Sequence, residues 1–181
     1  LFRSTNKNNI FKDCSKFETL NMSNFEFIHN GMFNGLNKLK ILILINATIP
    51  DTDLSNLFSN LVLLTSLDLS KFHTDKAEIM FFMFYNCKDI EILNLSDLNT
   101  SNVKNMNSMF DGCKELILLY LSNWDFTNVR HPLYLFNNLP NIKTIQMNNG
   151  NLFNNSNITT LFSNEKFINS INPDKLYLFF S

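Results

Sequence analysis

Glycine and proline are scarce in this 181-residue chain, with four of each, so whatever turns it makes must draw mostly on other residues. Disordered linkers usually carry more glycine, proline and charge than this; only 17 % of the residues are charged. Three cysteines, an odd and low number, do not define a disulfide framework. Fifteen basic and sixteen acidic residues give a formal net charge of −1, which supplies no basic face and makes nucleic acid an unexpected partner. No apolar run approaches the roughly 18 residues that span a bilayer. No basic-then-apolar signal peptide is present. The chain opens on Leu1, which is not an initiator, so a processed or excised piece is expected. There is no G-x-S-x-G, no glycine-rich phosphate loop and no H-E-x-x-H. No enzyme activity and no cofactor are therefore expected.

What the chain does have is asparagine, its commonest residue, and 19 phenylalanines in a composition that is 45 % hydrophobic. The phenylalanines are spaced. An apolar-Phe pair recurs as Ile10-Phe11, Met32-Phe33, Leu57-Phe58, Met83-Phe84, Met109-Phe110, Leu135-Phe136 and Leu161-Phe162, with Phe-to-Phe steps of 22, 25, 26, 26, 26 and 26. Between the pairs lies a second element, apolar at its first, fourth and sixth positions. It starts near residues 17, 39, 64, 90, 116 and 142, as in LTSLDLSKF from Leu64 and IEILNLSDL from Ile90. A fixed period of this length is the mark of a solenoid.

The pattern L-x-x-L-x-L predicts a short strand whose fourth and sixth residues, such as Leu93 and Leu95, point inward, while Asn94 and Ser96 point out. One unit cannot bury its inward row alone, but stacked units can. Polar corners such as DLNTSNV and NWDFTNV follow the strands, roofed by a bulky ninth residue (Phe25, Phe72, Leu98, Trp124). Met106, Met109, Phe110 and Cys113 then fall at i, i+3, i+4 and i+7, which predicts one face of a short helical or 3₁₀ segment on the convex side.

The stretch 93–129, LNLSDLNTSNVKNMNSMFDGCKELILLYLSNWDFTNV, resembles the BspA-like leucine-rich repeats of 26-residue type. That family occurs in surface proteins of mycoplasmas, low-GC Gram-positive bacteria and some protozoa. The likeness is fullest over about 64–141. The second repeat lacks the family's corner, and the last replaces it with NNGNLFNNSN. The resemblance implies an α/β repeat solenoid: a right-handed leucine-rich repeat with a parallel concave sheet. It also implies a cell-surface or extracellular role in adhesion or binding. The chain is read as a single domain, 1–181, of about six coils. Residues 167–181 are expected to form a closing segment in which Lys175–Phe180 adds a last strand. Residues 1–9 are expected to fray.

Several residue types capable of site chemistry are present. A Cys and two Met within 106–113 could form a soft metal site. However, the position three after each Phe reads Cys14, Leu36, Leu61, Cys87, Cys113, Leu139 and Glu165. Leu can replace a packing Cys but not a ligand, so free, inward thiols are expected and no metal. Cys87 and Cys113 should sit about 5 Å apart at Cα, one coil spacing. His29, His73 and His131 fall at different phases and are expected to be solvated turn residues. Sequons at Asn21, Asn46, Asn94, Asn99, Asn154 and Asn157 follow from the asparagine content and do not establish glycosylation. The outward strand columns are mostly Ser, Asn and Thr. Ile41, Ile43 and Ile45 break them, as do Ile92, Leu118 and Tyr120, and these six form the candidate binding face. The partner class expected there is a protein or glycan on a host or neighbouring cell. The alternative is a structural spacer that binds nothing.

Overall fold

A computed structural model describes residues 10–11, 14–131 and 133–147. Within them the chain winds into a parallel-strand β-solenoid of about five turns, bounded by six three-residue strands. These are β1 (Thr19–Asn21), β2 (Ile41–Ile43), β3 (Ser66–Asp68), β4 (Ile92–Asn94), β5 (Leu118–Tyr120) and β6 (Thr144–Gln146). Each predicted coil start carries one strand. The register is that of the repeat: Leu20 pairs with Leu42, Leu42 with Leu67, Leu93 with Leu119 and Leu119 with Ile145. The ladder is not continuous, however. It divides into one sheet of β1, β2 and β3 and another of β4, β5 and β6.

Stacking at one phase gives columns. Phe11, Phe33, Phe58, Phe84, Phe110 and Phe136 form a single file of rings, with neighbouring centroids 5.3 to 6.4 Å apart and planes within 22° of parallel. Offset stacking of this kind adds roughly 0.5–1.5 kcal/mol per pair to the burial of the rings themselves. Around the file lie columns of Leu and Met, among them Met83, Met109 and Leu135, all fully buried. Cys87 and Cys113 belong to the same wall. Each thiol donates to the carbonyl of the phenylalanine one coil earlier, Cys87 to Phe58 at 3.0 Å and Cys113 to Phe84 at 3.1 Å.

The side opposite the strands departs from expectation. The inward face is as predicted: Met106, Met109, Phe110 and Cys113 are all buried. Yet no helical or 3₁₀ segment occurs among the described residues, and runs such as 107–112 are chains of turns. Two features explain this. Left-handed residues recur four apart in each coil, at Asn56 and Asn60, Phe82 and Asn86, Ser108 and Gly112, and Tyr134 and Asn138, and they break any right-handed helix. Alternate amides also look outward along the stack. Met80, Phe82, Phe84 and Asn86 donate to the carbonyls of Asn105, Asn107, Met109 and Asp111 in the next coil. The amides between them close turns within the coil, Met83 to Met80 and Tyr85 to Phe82. A helix would have used those donors internally. The spacing i, i+3, i+4, i+7 thus marks an inward face here without marking a helix.

Polar side chains tie the corners together. The buried hydroxyl of Thr74 donates to the Asn99 carbonyl and accepts from the Asn99 amide, and Thr100 does the same with Asp125. Asn102, Asn123, Asn128 and Asn141 donate their amides to carbonyls of the preceding coil. The Trp124 indole N–H reaches the Leu95 carbonyl at 2.9 Å, which satisfies the one polar atom of the predicted roof. The expectations for residues 1–9, for the last Phe at 162 and for the closing strand Lys175–Phe180 lie outside the described residues.

Phe110 touches rings on both sides of its coil and is fully buried. Phe110→Ala should therefore cost about 3–5 kcal/mol. Chemical denaturation would register this as a lowered midpoint, whereas an unchanged midpoint would mean that the file contributes nothing.

Candidate binding surface

The outward strand face, expected to be concave, is built from strand positions three, five and seven. In three of the six strands the residue at position five closes a turn. Asn21, Asp68 and Asn94 each accept the backbone N–H of the serine two residues on (Ser23, Ser70, Ser96) at 2.9 to 3.1 Å, closing an Asx turn. In β2 and β5 that position is Ile43 and Tyr120, which cannot close such a turn. In the fifth coil the Ser122 amide instead turns to the Ser96 hydroxyl at 3.3 Å. Both apolar substitutions thus give up a local hydrogen bond that the neighbouring coils keep.

The structure places all six candidate residues on this face, in two groups. Ile41 and Ile45 are each 37 % exposed, with Ile43 half-buried between them on the first sheet. Ile92, 54 % exposed, lies directly beside Leu118 in the second sheet, and Tyr120 lies two residue pairs along, at the next outward position. Ser66 and Asp68 of β3 stand between the groups, so the face carries two apolar patches with a polar strip. The ion pair Lys40–Glu18 (2.9 Å) flanks the first group, one residue before Ile41 and its partner Thr19, while Lys104–Glu78 (2.7 Å) also runs coil to coil.

The residues that could carry other chemistry are spread out. His29 meets Asp51 at 3.2 Å, and His73 meets Asn46 at 3.4 Å; His131 lies in a bridge with Asn105 on the convex side. Among the described residues no group of three His, Cys, Asp or Glu side chains is placed to hold a metal. All three cysteines are free. Burial raises the Cys87 thiol well above its usual range, and the neighbouring Cys113 raises it further. Burial likewise pushes the Cys113 thiol up to about 12, against a usual value of 9.0. These thiols are packing groups that resist becoming thiolates. The unfolded chain ionises near 9 while the folded chain does not. Stability should thus be complete below pH 9 and fall as pH rises toward 12, by about 1.4 kcal/mol per pH unit per thiol. A variant carrying Cys87→Leu and Cys113→Leu, the residue found at 61 and 139, should lose that slope in denaturation measured from pH 8 to 11.

Sequence reasoning missed a second surface. On the turns opposite the strands Phe82 and Tyr134 hold φ of 56° and 60° where the equivalent residues are Gly31, Asn56 and Ser108. Bulky residues rarely adopt this conformation, which costs them roughly 1–2 kcal/mol. Phe82 packs on Phe81 and Tyr85, with centroids 4.0 and 4.7 Å away, and Leu133 and Tyr134 are 44 % and 49 % exposed. The signal is present in the sequence: two aromatics interrupt a column of small or turn-forming residues. Tyr134→Asn should relieve the strain and raise stability by about 1 kcal/mol, visible as a higher denaturation midpoint. A lower midpoint would show that contacts of the tyrosine ring offset the strain of its backbone.

Comparison with other proteins gives one assignment. No curated protein matches the chain. A family model described as "Mycoplasma protein of unknown function, DUF285" matches residues 2–115 and again residues 52–174. The two placements start 50 residues apart, close to two coils, as expected when one repeat pattern is laid twice along a periodic chain. Together they cover nearly all of it, and the chain belongs to this DUF285 family.

Proposed function

We propose that this solenoid is a non-enzymatic binding module whose concave face takes a protein or glycan ligand. In this reading the coils are right-handed leucine-rich repeats of the BspA-like kind, and the protein works at a cell surface or outside the cell. No helix among the described residues is long and apolar enough to cross a membrane.

The observation that carries the proposal is the exchange at position five of the strands. Ile43 and Tyr120 replace residues that would have closed a turn, and they extend apolar surface next to the exposed Ile41, Ile45 and Ile92. A change that forfeits a hydrogen bond and exposes apolar area gains nothing for folding. It fits a surface kept for contact. A second reading also has support. Ser23, Ser66, Ser70, Ser96 and Ser122 make most of the face bland, which would suit a spacer that holds other domains apart.

Purified protein applied to a glycan array and to immobilised host matrix proteins separates the two. Binding by the wild type that falls at least tenfold in an Ile41→Ser, Ile92→Ser variant of unchanged stability supports the concave site. Binding that the variant leaves intact places the contact elsewhere, and an absence of binding to every probe favours the spacer.

A further inference from the structure

The concave sheet is interrupted between β3 and β4, and the interruption is one-sided. In neighbouring coils the amide after each strand's fifth residue bonds to the next strand. Met22 donates to Ile43, Leu44 to Asp68, Leu95 to Tyr120 and Leu121 to Gln146. At the same position Leu69 makes no such bond to Asn94. At the start of the strands, Ile41, Ser66, Leu118 and Thr144 donate to the coil before them, whereas Ile92 does not. The Lys71 amide, whose counterparts Asn24 and Asn46 bond to carbonyls of the next coil, is held at 2.9 Å by the Asp97 carboxylate instead. The core records the same break. Leu42, Leu93 and Leu119 are fully buried, but the inward Leu67 of β3 is only half-buried.

The opposite wall between the same two coils is intact. Met80, Phe82, Phe84 and Asn86 donate across it at 2.8 to 3.2 Å. Phe84 stacks on Phe110 with centroids 5.7 Å apart and planes 5° from parallel, and Thr74 grips Asn99 through both its donor and acceptor. Two blocks joined densely along one wall, and along the other held only by the exposed Lys71–Asp97 bond, can rotate about the denser wall. Local stability follows the density of backbone bonds, so motion concentrates where the inter-coil bonds are fewest.

We propose that the β3/β4 seam is a built-in hinge. About it the first sheet, with Ile41, Ile43 and Ile45, swings against the second, with Ile92, Leu118 and Tyr120. The two apolar patches then lie on separately moving blocks, and closing or opening the seam sets the distance between them. The functional meaning of this motion rests on the concave face being the binding surface. The motion itself does not, so it is tested on the free protein.

Two measurements on the full chain decide it. In native-state hydrogen exchange, the Leu69 and Ile92 amides should exchange at least 100-fold faster than those of Leu44, Leu95 and Leu118. Spin labels then compare spans of equal length at exposed second positions, in chains carrying Cys14→Ser. Glu18→Cys with Thr65→Cys reports on the first block, and Glu91→Cys with Lys143→Cys reports on the second. Lys40→Cys with Glu91→Cys spans the seam. The seam pair should show a distance distribution at least twice as wide as the other two. Equal widths, or Leu69 and Ile92 protected like their counterparts, would overturn the hinge while leaving the binding proposal standing. Fast exchange at Leu69 and Ile92 with a wide seam distribution, in a protein that binds no probe, would uphold the hinge and sink the binding proposal.

Discussion

Every coil is completed by the one beside it, and this dependence on a constant offset governs the rest of the structure. A single coil has three-residue strands, turns that leave alternate amides unpaired and one inward row of side chains. None of these is stable alone. Set one repeat along, the same features become a ladder, a hydrogen-bonded convex wall and a column of stacked rings. The offset need not be identical throughout, since the early steps of 22 and 25 residues still keep Leu20, Leu42 and Leu67 in register. What must be kept is phase at the strand and at the phenylalanine. The corners between them absorb the difference.

Most of this is legible in the sequence because a core column needs the same kind of residue at each level. The six strand positions, the phenylalanine file, the Leu-for-Cys exchange and the roofing Trp124 all follow from that rule. The convex segment is not, because i, i+3, i+4, i+7 describes which residues face inward and not where the backbone amides go. The better guide to that segment is asparagine. Among the described residues, six of the ten non-glycine residues with left-handed backbone are Asn, standing where glycine would otherwise be needed in a chain that has only four. Other asparagines bind the carbonyls of adjacent coils. The commonest residue thus makes the turns and joins them. The break between β3 and β4 is not legible either, since Leu64 to Asn94 follows the pattern without fault; it emerges only when bonds at equivalent levels are compared.

The candidate surfaces share a physical character. On both, a residue that the scaffold would prefer has been exchanged for one that it tolerates. On the strand face Ile43 and Tyr120 displace turn-closing side chains. On the opposite turns Phe82 and Tyr134 sit in a backbone conformation suited to Gly or Asn. A repeat protein makes such exchanges visible because each position is tried several times along the same chain, and the remaining coils serve as internal controls. Such exchanges separate the residues that hold the stack from those that the stack merely carries.

The phase rule also bears on how such a chain can change. A single inserted residue at the phenylalanine or the strand would turn an inward column outward through the level that receives it. An insertion of one whole repeat returns every column to its place and adds one ring, one strand and one row of outward side chains. Heritable length variation should therefore be quantised, arising by unequal exchange between the similar gene segments that encode neighbouring coils. Each such event would lengthen the exposed face by a fixed increment while leaving the packing of the older coils undisturbed.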